Sequence, residues 1–103
     1  MNFGLSESAL HLICSVLSRH NSVSEAFVFG SRALGRETPR SDIDIALVGK
    51  VDALEAEGIT LELDELPIAA KFDLHVIAEI QNPALRDHIA RVGRKLYSAS
   101  KLA

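Results

Sequence analysis

The order of hydrophobic patterns along the chain predicts an α/β (α+β) domain: a single mixed β-sheet of at least three strands flanked by helices. Three observations carry that prediction. Apolar residues recur at helical spacing near both ends, three short runs of β-forming residues lie between, and Gly or Pro punctuates the joins. The 103 residues, 48% of them apolar, suffice for one modest core and not for a second lobe, so one domain over residues 1–103 is expected.

The first element is an amphipathic helix from Ser6 to His20, because Leu10, Ile13, Cys14 and Leu17 recur at three and four residues and Ser6 can cap the first turn. Ala26-Phe27-Val28-Phe29 follows as a compact strand ended by Gly30. A short helix is expected after Ser31, through Leu34 and before Gly35. Ile43 to Val48 alternates as far as Ala46 and then turns wholly apolar, the pattern of a strand covered on both faces. Between Val51 and Leu66 the residues Leu54, Ile59, Leu61, Leu63 and Leu66 are irregularly placed around Gly58 and stop at Pro67, which reads as one or two helical pieces. Phe72 to Ile77 is the third strand. A last helix is capped by Asn82 and opened by Pro83, with a stripe of Leu85, His88, Ile89, Val92 and Leu96. Arg91, Arg94 and Lys95 are expected at its C-terminal end, where positive charge complements the helix dipole. The segment from Gly30 to Ser41 is long enough for parallel or antiparallel pairing of the strands it joins.

Composition removes several function classes. With 11 Lys and Arg against 14 Asp and Glu, the balance counts against nucleic-acid binding by phosphate neutralisation but leaves room for a single nucleotide. Cys14 stands alone, so neither an internal disulfide nor a Cys-based zinc cluster forms, which suits a reducing compartment. Ala9 to Leu17 is interrupted by His11, Cys14 and Ser15, and Met1 to Ser8 carries no positive side chain, so the signal-peptide pattern fails. No stretch approaches the roughly 20 apolar residues of a membrane span, and a cytoplasmic protein without a membrane partner is expected.

The chemistry concentrates in three places. Asp42 and Asp44 fall on one face of a strand with α-carbons about 6.6 Å apart. Two ionised carboxylates so placed among apolar neighbours call for a cation, and an oxygen-only pair suits Mg²⁺ better than zinc or copper. Asp73 repeats the situation between Phe72 and Leu74, and if its strand adjoins the other, three carboxylates converge as a two-metal phosphoryl-transfer site requires. Gly30-Ser31 supplies a strand-end glycine and a hydroxyl that starts a helix, which lets backbone amides and the Ser31 side chain approach a phosphate.

Phe29-Gly30-Ser31-Arg32-Ala33-Leu34-Gly35-Arg36, followed by Ser41-Asp42-Ile43-Asp44-Ile45, resembles the Gly-Ser, ten residues, Asp-x-Asp signature of the DNA polymerase β-like nucleotidyltransferase superfamily. A match of that spacing arises by accident in a chain of this length on the order of once in a thousand. The likeness is strongest to the minimal nucleotidyltransferases, the MNT group, over residues 9–97. It implies the nucleotidyltransferase fold, with Asp42, Asp44 and Asp73 as catalytic metal ligands for Mg²⁺, two ions in all, and Asp73 alternatively as the base for an acceptor hydroxyl. Gly30 and Ser31 would hold the triphosphate of ATP, with Arg32 as a further phosphate contact. It also implies a helical partner of the HEPN class, in a toxin–antitoxin pair in which AMP is transferred to a hydroxyl of the partner. The alternatives are an antitoxin that only blocks its partner by binding, and a nucleotidyltransferase acting on a small molecule such as an antibiotic. The latter has little room in one small domain, and the missing wall of the site is expected from the partner.

Simpler readings exist for each residue taken alone. An isolated Asp-x-Asp is a solvated strand face, Gly30 a turn, Ser31 a cap, and Arg32, Arg36 and Arg40 are loop charges. Their joint spacing with Asp73 favours the site. His75 shares the face of Asp73 and reads as a packed or partner-facing histidine bordering the site, while His11, His20 and His88 read as surface or boundary residues and Cys14 as a small core residue.

Overall fold

The computed structural model describes residues 2–99. Helix α1 (Glu7–Ser18) starts where the Ser6 hydroxyl accepts a hydrogen bond from the Ala9 amide at 3.1 Å. Strand β1 (Val23–Phe29) runs into a 3₁₀ turn, Gly30–Arg32, and strand β2 (Ile43–Gly49) returns antiparallel beside it. Helix α2 (Ala53–Asp64), capped by Asp52, then crosses to strand β3 (Phe72–Val76), which lies parallel to β2. A parallel pair requires such a crossover, because a tight turn can only reverse the chain. A 3₁₀ turn (Ile77–Glu79), helix α3 (Pro83–Val92) and strand β4 (Arg94–Ser98) complete the order. The sheet runs β3-β2-β1-β4, with β4 antiparallel to β1. Three helices on a mixed four-stranded sheet are thus the architecture of the described residues.

Alternation along β2 divides the molecule into two faces. Ile43, Ile45 and Leu47 are fully buried in the main core with Ile13 and Leu17 of α1 and Ile59 and Leu63 of α2. Each such side chain contributes about 1.5–3 kcal/mol by leaving water. Asp44 and Ala46 point the other way, where Ala46, Phe29 and Ile89 of α3 form a smaller cluster. That second face is only partly covered, and the uncovered part holds the carboxylates. No helix among the described residues is long and apolar enough to cross a membrane.

The structure corrects the reading of the C-terminal segment. The last helix stops at Val92, and Arg94, Lys95 and Leu96 belong to β4 instead of its final turn. Gly93 takes an extended conformation, with φ −60° and ψ 137°, and its amide closes the helix on the Ile89 carbonyl at 2.8 Å. Beyond it, the open edge of β1 offers backbone partners, and Leu96 and Tyr97 pack on the main core. Smaller differences follow the same logic. Strand β1 begins at Val23, ahead of Ala26, because the chain before its aromatic run pairs with the end of β2. Of the one or two helical pieces expected after Val51, α2 is one, running unbroken through Gly58 because Ile59 and Leu63 anchor it.

Candidate active site

At the end of β1 the chain turns through Gly30 with φ +72°, a conformation that glycine adopts freely and other residues resist. A β-carbon on Gly30 would overlap Oδ2 of Asp44. The glycine therefore does two things: it makes the turn, and it leaves space for a carboxylate to sit directly against it. Register brings the rest together. Phe29 is the cross-strand partner of Asp44, and Asp44 is the partner of Asp73 on the neighbouring parallel strand, so both acids emerge on the same face. Asp42 stands exposed just ahead of β2, two residues from Asp44.

Burial and crowded like charge act together on Asp44. Burial raises its pKa, the Asp73 and Asp42 carboxylates raise it further, and His75 pulls the other way. A hydrogen bond with Asp73 adds to the upward shift. His75 in turn places Nε2 3.1 Å from Oδ2 of Asp73. Its ring meets Phe29 edge-on at 5.6 Å between centroids, and His88 of α3 meets the same phenyl ring at 6.1 Å. Phe29 is thus a post between two histidines, one from β3 and one from α3. Sequence reasoning placed His75 beside the site but missed this cluster, because His88 reaches it only through the packing of α3.

Among the described residues, no three His, Cys, Asp or Glu side chains are gathered around one point as a finished metal shell. The donor set nevertheless fits Mg²⁺: all ligand atoms are oxygens, Asp42 and Asp73 are open to solvent, and the half-buried Asp44 between them is where added positive charge relieves most repulsion.

Arg32 lies elsewhere than expected. Only 2% exposed, it donates from Nη1 to the Phe3 carbonyl at 2.9 Å, and from Nη2 and Nε to the Ser41 carbonyl at 2.9 and 3.1 Å. Its guanidinium is buried with its donors on backbone carbonyls, which departs from the solvent-open phosphate contact expected there. What it does is mechanical: it fastens the turn at Gly30 and Ser31 to Ser41, the residue before Asp42. No local signal separates such a buried arginine from a solvated one, since one partner is 29 residues distant.

Residues 12–102 match the family described as Polymerase beta, Nucleotidyltransferase. No curated protein matches the chain. Among solved structures, a toxin–antitoxin with AMP-PNP superposes with a TM-score of 0.72 at 19% identity, over 93% of this chain and 76% of that one. Tri-AMPylated Shewanella oneidensis HEPN toxin in complex with MNT antitoxin gives 0.69 at 16% identity, over 92% and 74%. The toxin–antitoxin MntA-HepT gives 0.69 at 18%, over 91% and 74%. Likeness at such identity shows a shared fold, and the family match extends over most of the sequence. The chain belongs to the polymerase β nucleotidyltransferase family and has the fold seen in toxin–antitoxin complexes of the HEPN/MNT kind.

Proposed function

We propose that the protein is a Mg²⁺-dependent nucleotidyltransferase that moves AMP from ATP to a hydroxyl of a helical, HEPN-class partner protein, as the antitoxin of a pair. The observation that carries this reading is the placing of Asp44 and Asp73 on neighbouring strands, with Asp44 directly against the Gly30 turn. Asp42 and Asp44 are the residues that would hold Mg²⁺, and Asp73 would serve as a third ligand or, in the reading followed here, as the base that accepts a proton. Mg²⁺, when bound, supplies charge that offsets the triphosphate and the leaving pyrophosphate. Gly30 and Ser31 present the turn against which the phosphates lie, and Arg32 keeps that turn in register with Asp42. The acceptor oxygen forms a bond to the α-phosphorus, the bond from that phosphorus to the bridging oxygen breaks, and pyrophosphate leaves. The hydroxyl proton passes to Asp73, whose other contact, His75, holds the carboxylate in place. The solved complexes of similar fold, one with AMP-PNP and one with an AMPylated toxin, support AMP as the group and a protein as the acceptor.

The test is incubation of the purified chain and the product of its adjacent reading frame with Mg²⁺ and ATP, followed by intact-mass spectrometry of that partner. Added AMP is expected with the native protein and none with Asp42→Asn. Undiminished transfer by Asp42→Asn would sink the proposal. A tight complex without modification would identify an antitoxin that acts by binding alone.

A further inference from the structure

Helix α2 carries apolar residues on two opposite sides. Ile59 and Leu63 are fully buried against the sheet, whereas Leu54 and Leu61 are 78% and 67% exposed. Seven residues apart, these leucines form one stripe two turns long, directed away from the core. Gly58 lies between them, and a side chain added there would meet nothing within 4 Å. A glycine in mid-helix weakens the helix, and no packing inside this chain requires it. The result is a notch between two exposed leucines.

The charged residues that α2 itself contributes to the rim of this stripe are all acids. From Asp52 through Glu65, both included, there are six acids and no Lys or Arg. Glu55 and Glu62 share His20, and Glu62 also meets Arg19. By helical projection Glu57 and Asp64 border the other side of the stripe and Glu65 its end. Next to Glu57 opens a groove of about 460 Å³ between α2, the open edge of β3 and the start of α3. Thr60, Leu74, Ile80 and Leu85 line it, its charged residues are Glu57 and Glu79, and it extends to His75 beside Asp73.

We infer that this face docks a basic amphipathic helix of a partner protein. Apolar side chains of that helix cover Leu54 and Leu61 and enter the groove, its backbone approaches at Gly58, and Lys or Arg on its flanks meet Glu57, Asp64 and Glu65. A second copy of this chain is a poor occupant, because like faces would press two acidic rims together. The sign also rejects nucleic acid. The inference is independent of AMP transfer and stands on the surface alone.

The test uses the whole chain and a synthetic helical peptide with leucines at heptad spacing flanked by Lys and Arg. A scrambled peptide of the same composition and a version with Glu in place of the basic residues serve as controls. Saturable binding is expected by fluorescence anisotropy, weakening as salt is raised, with amide chemical-shift changes centred on Leu54, Gly58 and Leu61. Scrambling the peptide, or the double change Leu54→Ala with Leu61→Ala, should weaken binding at least about tenfold, and the acidic peptide should not bind. Both leucines are solvent-facing, so circular dichroism should show an unchanged fold, and reversal of charge by Glu57→Lys with Asp64→Lys is a second variant with the same expected loss. Equal binding of the scrambled peptide, shifts centred on another surface, or a dimer of the chain that the leucine variants dissolve would overturn the inference.

Discussion

Replacing Asp44 by Asn should stabilise the metal-free protein while removing its proposed activity. Neighbouring strands lie about 4.8 Å apart, so Asp44 and Asp73, which are register partners, face each other at close to that spacing. Two unit charges about 5 Å apart repel by about 3 kcal/mol at an effective dielectric of about 20, and by about 0.8 kcal/mol in bulk water. The Asp73 side chain is 57% exposed and Asp44 is half-buried, so the solvent-screened end of that range applies and the relief is about 1 kcal/mol. In a domain of this size that corresponds to a melting temperature higher by about 4–8 °C. Asparagine also offers the Asp73 carboxylate an amide donor that an ionised Asp44 lacks. Because the folded-state pKa of Asp44 is raised, the penalty is fully present above that value and vanishes below the unfolded carboxylate value. Thermal melts in EDTA should therefore show the variant ahead near neutral pH, with the gap closing as pH falls through the carboxylate range. Added Mg²⁺ should raise the native protein and leave the variant nearly unmoved. A variant that melts below the native protein in EDTA, or a gap indifferent to pH, would refute the picture of crowded carboxylates.

Three other perturbations test the frame of the site. Gly30→Ala combines a left-handed backbone with an overlap on Asp44, and should cost about 1–3 kcal/mol in urea unfolding together with nucleotide binding by calorimetry. Arg32→Lys keeps the charge but loses the fork that holds the Phe3 and Ser41 carbonyls, and should cost about 2 kcal/mol and speed hydrogen exchange at residues 41–43; native-like stability would dismiss the fastening role. Burial pushes the Glu62 carboxyl up, but hydrogen bonds and charge from His20 and Arg19 outweigh it and hold the pKa below the usual range. That stabilisation exists above the unfolded carboxylate value and is lost as pH falls through the folded one, so Glu62→Gln should cost up to about 1 kcal/mol near neutral pH and nothing in acid.

The carboxylates, the Gly30 turn and three of the four strands were legible in the sequence because each rests on a local pattern. Alternation placed Asp44 opposite the Ile43 and Ile45 face, and a strand-end glycine before a hydroxyl residue marked the turn. β4 was not legible. Leu96 continues the helical stripe of Val92 and Ile89, and only the vacant edge of β1, supplied by distant residues, makes extended pairing the better use of that segment. Arg32 was misjudged for a similar reason: its carbonyl partners are gathered by the fold and carry no side-chain signature.

The sequence by itself determined which groups are available: three acids in strand context, a glycine that can turn left-handed, and an irregular, leucine-bearing segment whose only charges are acids. Tertiary structure decided which of them meet. The β2–α2–β3 crossover made Asp73 the parallel neighbour of Asp44, the antiparallel return set Asp44 against Gly30, and closure around Arg32 turned a candidate phosphate ligand into a brace. The physical reason is range: dihedral preference and side-chain alternation act over a few residues, whereas pairing register and buried hydrogen bonds depend on partners that folding alone brings into contact.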